Sequence, residues 1–112
     1  MSFQRFLNLV EALRQTPSFP VMDAVEERML NALAVVWHAD RRITVMEAMH
    51  MFPGISPSTV HRRLKSLRFK SLIALEQDQE DSRIKYVSAT PTSKGYFDAL
   101  SACMAQAAQA QQ

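Results

Sequence analysis

Ten residues from His61 to Lys70, HRRLKSLRFK, carry five Lys/Arg side chains and no acid. A cationic run either lies solvated or meets an anionic surface, and the way its side chains sort around a helix separates the two. At about 100° per residue, a helix over Pro57–Lys70 gathers Val60, Leu64 and Leu67 on one face, which must be held against a core. Ser58, Arg62, Lys65 and Phe69 fall opposite, with Thr59, His61 and Ser66 on the shoulders. The outward face offers what the base edges and phosphates of a nucleic acid require. The Arg62 fork suits guanine O6 and N7, Ser58 and Thr59 can donate or accept, and His61 can do either. Lys65, Arg68 and Lys70 suit phosphates, as do the N–H groups at the helix start beside Ser56.

Other chemistries find little support. His38, His50, His61, Asp40 and Cys103 have no spacing that puts two ligands on one helix face or turn, so no metal is expected. The single cysteine, Cys103, falls in an apolar helical stripe, where a thiol usually acts as a small hydrophobe. The 7 methionines read as core filler. Gly54 and Gly95 are the only glycines, too few for a phosphate-cradling loop. No nucleophile–base pair or carboxylate pair stands out. Neither catalysis nor a cofactor is expected.

The elements around the basic helix follow from local signals. Ser56-Pro57 starts it, with serine as N-cap and proline at the first helical position. Upstream, Thr44-Val45-Met46-Glu47 is a capping box that opens a short helix ended by Pro53-Gly54. Two short capped helices joined by a turn form a helix-turn-helix. After Ser71 the period shortens, predicting strands over Ile73–Gln77 and Ile84–Ala89 around the polar tip Asp78–Arg83. A hairpin in that position is a wing. Phe3, Phe6, Leu7, Val10 and Leu13 predict an amphipathic helix from Ser2 to Arg14, broken by Pro17 and Pro20. A second helix is expected over Val21–His38, with Met29, Leu30, Leu33, Val36 and Trp37 as its buried stripe. A last helix, capped by Thr92 or Ser93, carries Tyr96, Phe97, Leu100, Cys103, Met104 and Ala107, and the AQAAQAQQ end is expected to fray. The predicted fold is therefore mainly α with a small β-hairpin, a winged helix-turn-helix with N- and C-terminal helices.

With no acid interspersed, the basic face is not laced by i,i+4 pairs, and it sits between a capped short helix and a hairpin. That context favours double-stranded DNA over bulk solvent as its partner. From about Glu26 to Leu100 the chain resembles the winged-helix domain of the multiple antibiotic resistance regulator (MarR) family. The resemblance rests on Ile43–Glu47, SPSTVHRRLKSLRFKSLI (56–73), DQEDSR (78–83) and KYVSATPTSKG (85–95). It implies a transcriptional regulator, most often a repressor. Asp81-Ser82-Arg83 matches the Asp-x-Arg element of the family's wing, which implies that Arg83 enters the minor groove with Asp81 orienting its guanidinium. Lys85 adds a second wing cation against Glu76, Asp78, Glu80 and Asp81. Ser71 stands where the family carries a glycine.

The resemblance also implies a homodimer through the terminal helices, matched to a palindromic operator with half-sites about one turn apart. Residues 1–20 would form an arm and linker, 21–95 the DNA-binding domain, and 96–112 a second dimerisation element. Many relatives bind small aromatic effectors; no polar cluster in this sequence marks a pocket for one. The competing reading is a winged helix used for protein interaction or as a replication accessory, docking through its acidic wing and last helix. The 112-residue length suits one domain. No run approaches the roughly 18 apolar residues of a membrane span, and Met1–Val10 lacks the pattern of a secretory leader. The expected compartment is the cytosol.

Overall fold

Asp23 accepts the Glu26 N–H at 2.8 Å while the Glu26 carboxylate accepts the Asp23 N–H at 3.1 Å. This reciprocal cap sets the start of a helix at Ala24, three residues after the predicted Val21. In the computed structural model, which describes residues 2–109, the element order is α1 (Phe3–Arg14), α2 (Ala24–His38), α3 (Val45–Met49), α4 (Pro57–Phe69), β1 (Ile73–Gln77), β2 (Lys85–Ala89) and α5 (Pro91–Gln109). Residues 110–112 of the expected C-terminal element lie outside the described residues. The chain forms two compact units, one of Met22–Ser93 and one of the two ends, up to Val21 and from Lys94.

In the central unit, Met29, Leu30 and Leu33 of α2 are buried, with Val36 and Trp37 half-buried. They share a core with Ile43, Ala48, Phe52, Val60, Leu64, Leu67, Leu72, Ile73 and Val87. Helix α3 opens on the Thr44–Glu47 capping box, with both bonds at 3.0 Å. It stops at Met49, before the expected Pro53-Gly54. Two i→i+3 bonds, His50 N–H to Glu47 O and Met51 N–H to Ala48 O, tighten its last turn, and Phe52 drops into the core. The residue before a proline resists the α conformation, so the helix could not have run on. Gly54 then takes φ +82°, which glycine adopts without steric cost.

Strands β1 and β2 pair antiparallel with Leu75 opposite Val87. Ile43 joins their edge by accepting the Val87 N–H at 2.8 Å, and Thr44 bridges to Tyr86. Strand β2 begins at Lys85, one residue late, because Ile84 closes the tip: its carbonyl accepts the Asp78 N–H and its N–H donates to the Asp81 carbonyl. The Trp37 indole N–H donates to the carbonyl of the same Val87 at 3.0 Å. Helix α5 starts at Pro91, before either predicted cap. Thr90 Oγ1 caps it by accepting the Ser93 N–H at 3.0 Å, and Ser93 Oγ in turn accepts the Thr90 N–H at 2.9 Å. Proline fits the first helical position because its missing N–H would be unsatisfied there anyway.

Both α2 and α4 end in Schellman motifs. After α4, the Leu72 N–H reaches Leu67 O and the Ser71 N–H reaches Arg68 O, each at 2.9 Å, with Ser71 at φ +63°. After α2, Asp40 does the same at φ +55°. Serine is strained in this left-handed region where glycine is not. Ser71→Gly is therefore expected to stabilise the protein by about 0.5–1 kcal/mol, the relief being partly offset by a more flexible unfolded chain. A urea melt checks it: the midpoint should rise at constant slope, and an unchanged or lower midpoint would refute the strain.

In the unit formed by the ends, the Tyr96 ring meets Phe19 at a tilt and Phe97 edge-on, at centroid distances of 5.4 and 5.3 Å, and Arg14 lies over Phe19. Val10, Tyr96, Cys103 and Ala107 are buried, whereas Phe3 (71%), Leu7 (43%) and Met104 (49%) stand exposed. Three helices with a two-stranded wing, preceded in the chain by α1 and followed by α5, make the fold a winged helix.

Candidate nucleic-acid interface

Helix α4 turns Val60, Leu64 and Leu67 inward, each at 4% exposure or less. That fixes the opposite face outward. Ser58, His61, Arg62, Lys65, Arg68 and Phe69 are exposed, and Thr59 is half-buried on the shoulder. Among the described residues this face carries no acid. Its N-terminal turn is ordered by hydroxyls. Ser56 Oγ accepts the Thr59 N–H at 3.2 Å and donates to Thr59 Oγ1 at 2.9 Å, with Ser58 Oγ 3.3 Å away. Arg62 Nη2 also donates to Thr59 Oγ1, at 3.3 Å.

Lys70 requires a correction. It was expected among the phosphate ligands, but its ammonium lies 2.9 Å from both oxygens of Glu26, a side chain buried to 3% exposure on α2. Ser66 donates to the same carboxylate at 2.7 Å. An acid inside an apolar helical stripe needs a cation, and Lys70 is the one within reach. Burial pushes the Glu26 carboxyl upward; the bonds from Lys70, Asp23 N–H and Ser66, with the Lys70 charge, outweigh it and hold the group below its ordinary value. Glu26 thus pins the last turn of α4 onto α2. Its place in the stripe of Met29, Leu30 and Leu33 is the signal that could have found it. Arg63, outside the predicted set, is also committed inward, to Asp23 at 3.1 Å.

At the wing, Arg83 is 88% exposed on its side chain and held in a two-pronged pair with Asp81: Nε to Oδ1 and Nη2 to Oδ2, both at 3.0 Å. The Arg83 side-chain bond, followed by its backbone N–H, lowers the Asp81 carboxyl below the usual range. Asp78 accepts the N–H groups of Glu80 and Asp81 at 3.0 Å and is lowered by those bonds. Two of the wing's four acids therefore serve to fold its tip. Arg42, missed in the sequence, stacks 3.6 Å over the Tyr86 ring, and Tyr86 donates to Asp78 at 3.3 Å, bracing the tip end of the hairpin. Lys85 is exposed at the start of β2. An open groove of about 710 Å³, lined by Met46, Met49, Leu75 and Ile84 together with His61 and Arg83, lies between α3, α4 and the wing.

No protein-family model and no curated protein matches this chain. Solved structures do match. A Staphylococcus aureus MepR mutant bound to an oligodeoxyribonucleotide is 20% identical with a TM-score of 0.64, over 96% of this chain and 71% of that one. An S. aureus MepR–DNA complex is 20% identical with a TM-score of 0.62, over 97% and 80%. A transcriptional regulator from Thermotoga maritima is 13% identical with a TM-score of 0.64, over 95% and 66%. The chain shares the winged-helix fold of these regulators.

Among the described residues no group of three or more His, Cys, Asp or Glu side chains could hold a metal ion. Among them, too, no helix is long and apolar enough to cross a membrane.

Proposed function

We propose that this protein is a MarR-like transcriptional regulator that binds double-stranded DNA in a sequence-specific manner. It acts as a homodimeric repressor on a palindromic operator. The observation that carries the reading is the outward face of α4, which presents Ser58, Thr59, His61, Arg62, Lys65 and Arg68 with no acid among them. The likeness in fold to MepR in its DNA complexes supports the same reading. The N-terminal half of α4 enters the major groove, Arg62 reads guanine, and Lys65, Arg68 and the helix start at Ser56 hold phosphates. Arg83 and Lys85 supply the wing's contacts. The uncovered Phe3, Leu7 and Met104 support a dimer built from residues 1–20 and 96–112, with 21–95 as the DNA-binding domain.

Salt dependence of binding to random duplex tests the proposal directly. About six phosphate contacts per dimer would lower affinity roughly 10³-fold between 50 and 200 mM salt, because each contact releases counterions. Weak binding that ignores salt would end the DNA reading, and a monomer in sedimentation would end the dimer. On an operator selected from a random pool, Arg62→Ala is expected to lose about 1–3 kcal/mol and relax specificity at one base pair. Lys65→Ala should weaken every duplex alike. Equal losses from both changes on all sequences would show that Arg62 reads no base.

A further inference from the structure

We infer that Thr59 is a positioning residue that presets Arg62 for guanine; the inference rests on the DNA reading above and adds the element that makes Arg62 selective. Thr59 Oγ1 accepts two hydrogen bonds, from Ser56 Oγ at 2.9 Å and from Arg62 Nη2 at 3.3 Å. A hydroxyl has two lone pairs and one proton. Both lone pairs are engaged, so the remaining Thr59 proton points away from its two donors. Ser56 is itself fixed, because its Oγ caps the helix by accepting the Thr59 N–H. The three side chains therefore form one chain anchored to the backbone of the first helical turn, and Arg62 is its outer end.

The physical consequence is preorganisation. An exposed arginine loses rotamer freedom when it pairs with a base, and a guanidinium already tethered on one nitrogen has less to lose. The tether uses a single N–H of one terminal nitrogen. Four of the five guanidinium donors are left for the two acceptors on a guanine edge. A half-buried hydroxyl at the shoulder of the helix suits this role better than direct base contact, which falls to the fully exposed face.

The test uses the full chain, the duplex it selects from a random pool, and the same duplex with the Arg62-dependent guanine pair changed to adenine. Thr59→Val keeps the shape and removes the hydroxyl. It should lower guanine-over-adenine discrimination about tenfold, a larger loss than any it causes on random duplex. Thr59→Ser, which keeps the hydroxyl, should retain discrimination within about twofold. In an Arg62→Ala background, Thr59→Val should add no further loss, because the two residues act as one unit. Discrimination that survives Thr59→Val in a selective protein overturns the inference alone. So do equal losses on selected and random duplexes, or additive losses with Arg62→Ala. A wild-type protein that selects no duplex overturns the functional reading beneath it.

Discussion

Glu26→Ala is expected to destabilise the protein by about 3 kcal/mol, read as a lower urea midpoint, because it removes one partner of a buried ionic cluster. The buried carboxylate joins three groups: the Asp23 N–H that opens α2, the Ser66 hydroxyl of α4, and the ammonium of Lys70 at the C-cap of α4. Truncation strands a lysine that is one-third exposed and removes the glutamate's half of the α2 capping box, while Asp23 still accepts the residue-26 N–H. The pH dependence has a definite sign. The folded-state carboxyl titrates below its ordinary value, so its contribution is complete above the ordinary Glu range, near about 4.3. It is lost as pH falls through the folded value. The stability gap between wild type and Glu26→Gln should be widest near neutrality and close in acid. A gap independent of pH would show that the ionised form adds nothing.

Leu67→Ala is expected to cost about 3 kcal/mol, whereas Phe69→Ala, two residues further along the same helix, should change stability by less than about 0.5 kcal/mol. Leu67 is fully buried and precedes the turn whose Leu72, also fully buried, closes the Schellman motif. Deleting its side chain leaves a cavity at the joint between α4 and the wing. Phe69 is 91% exposed and leaves none. The pair tests which way the helix faces. Comparable losses at both positions would mean that the inward and outward faces are wrongly assigned, and the assignment of Arg62 and Lys65 to a groove would go with it.

What was legible in the sequence was local. Ser56-Pro57, Thr44–Glu47 and the apolar period of Val60, Leu64 and Leu67 act over one or two turns, so their consequences could be worked out from spacing alone. The start of α2 was misplaced although Asp23 and Glu26 have the same three-residue spacing as Thr44 and Glu47. Apolar Val21 extended the pattern past the true cap. The start of α5 was misplaced because Thr90, Thr92 and Ser93 are chemically similar, and only the reciprocal bonds across Pro91 distinguish them. The candidate interface divides the same way. Which side chains point outward follows from periodicity, but whether a cation is already engaged depends on distant partners. Lys70 and Glu26 are 44 residues apart, and Arg63 and Asp23 are 40 apart, so both engagements come from tertiary packing.

The indole bond from α2 to the wing gives the molecule an optical reporter. Trp37 is the sole tryptophan, and its N–H is fixed on the backbone carbonyl of Val87 in the second strand of the hairpin. Emission from a half-buried indole shifts when its hydrogen bond breaks and water enters. Fluorescence from the unlabelled chain should therefore follow the seating of the wing in real time, including any shift when a duplex is added.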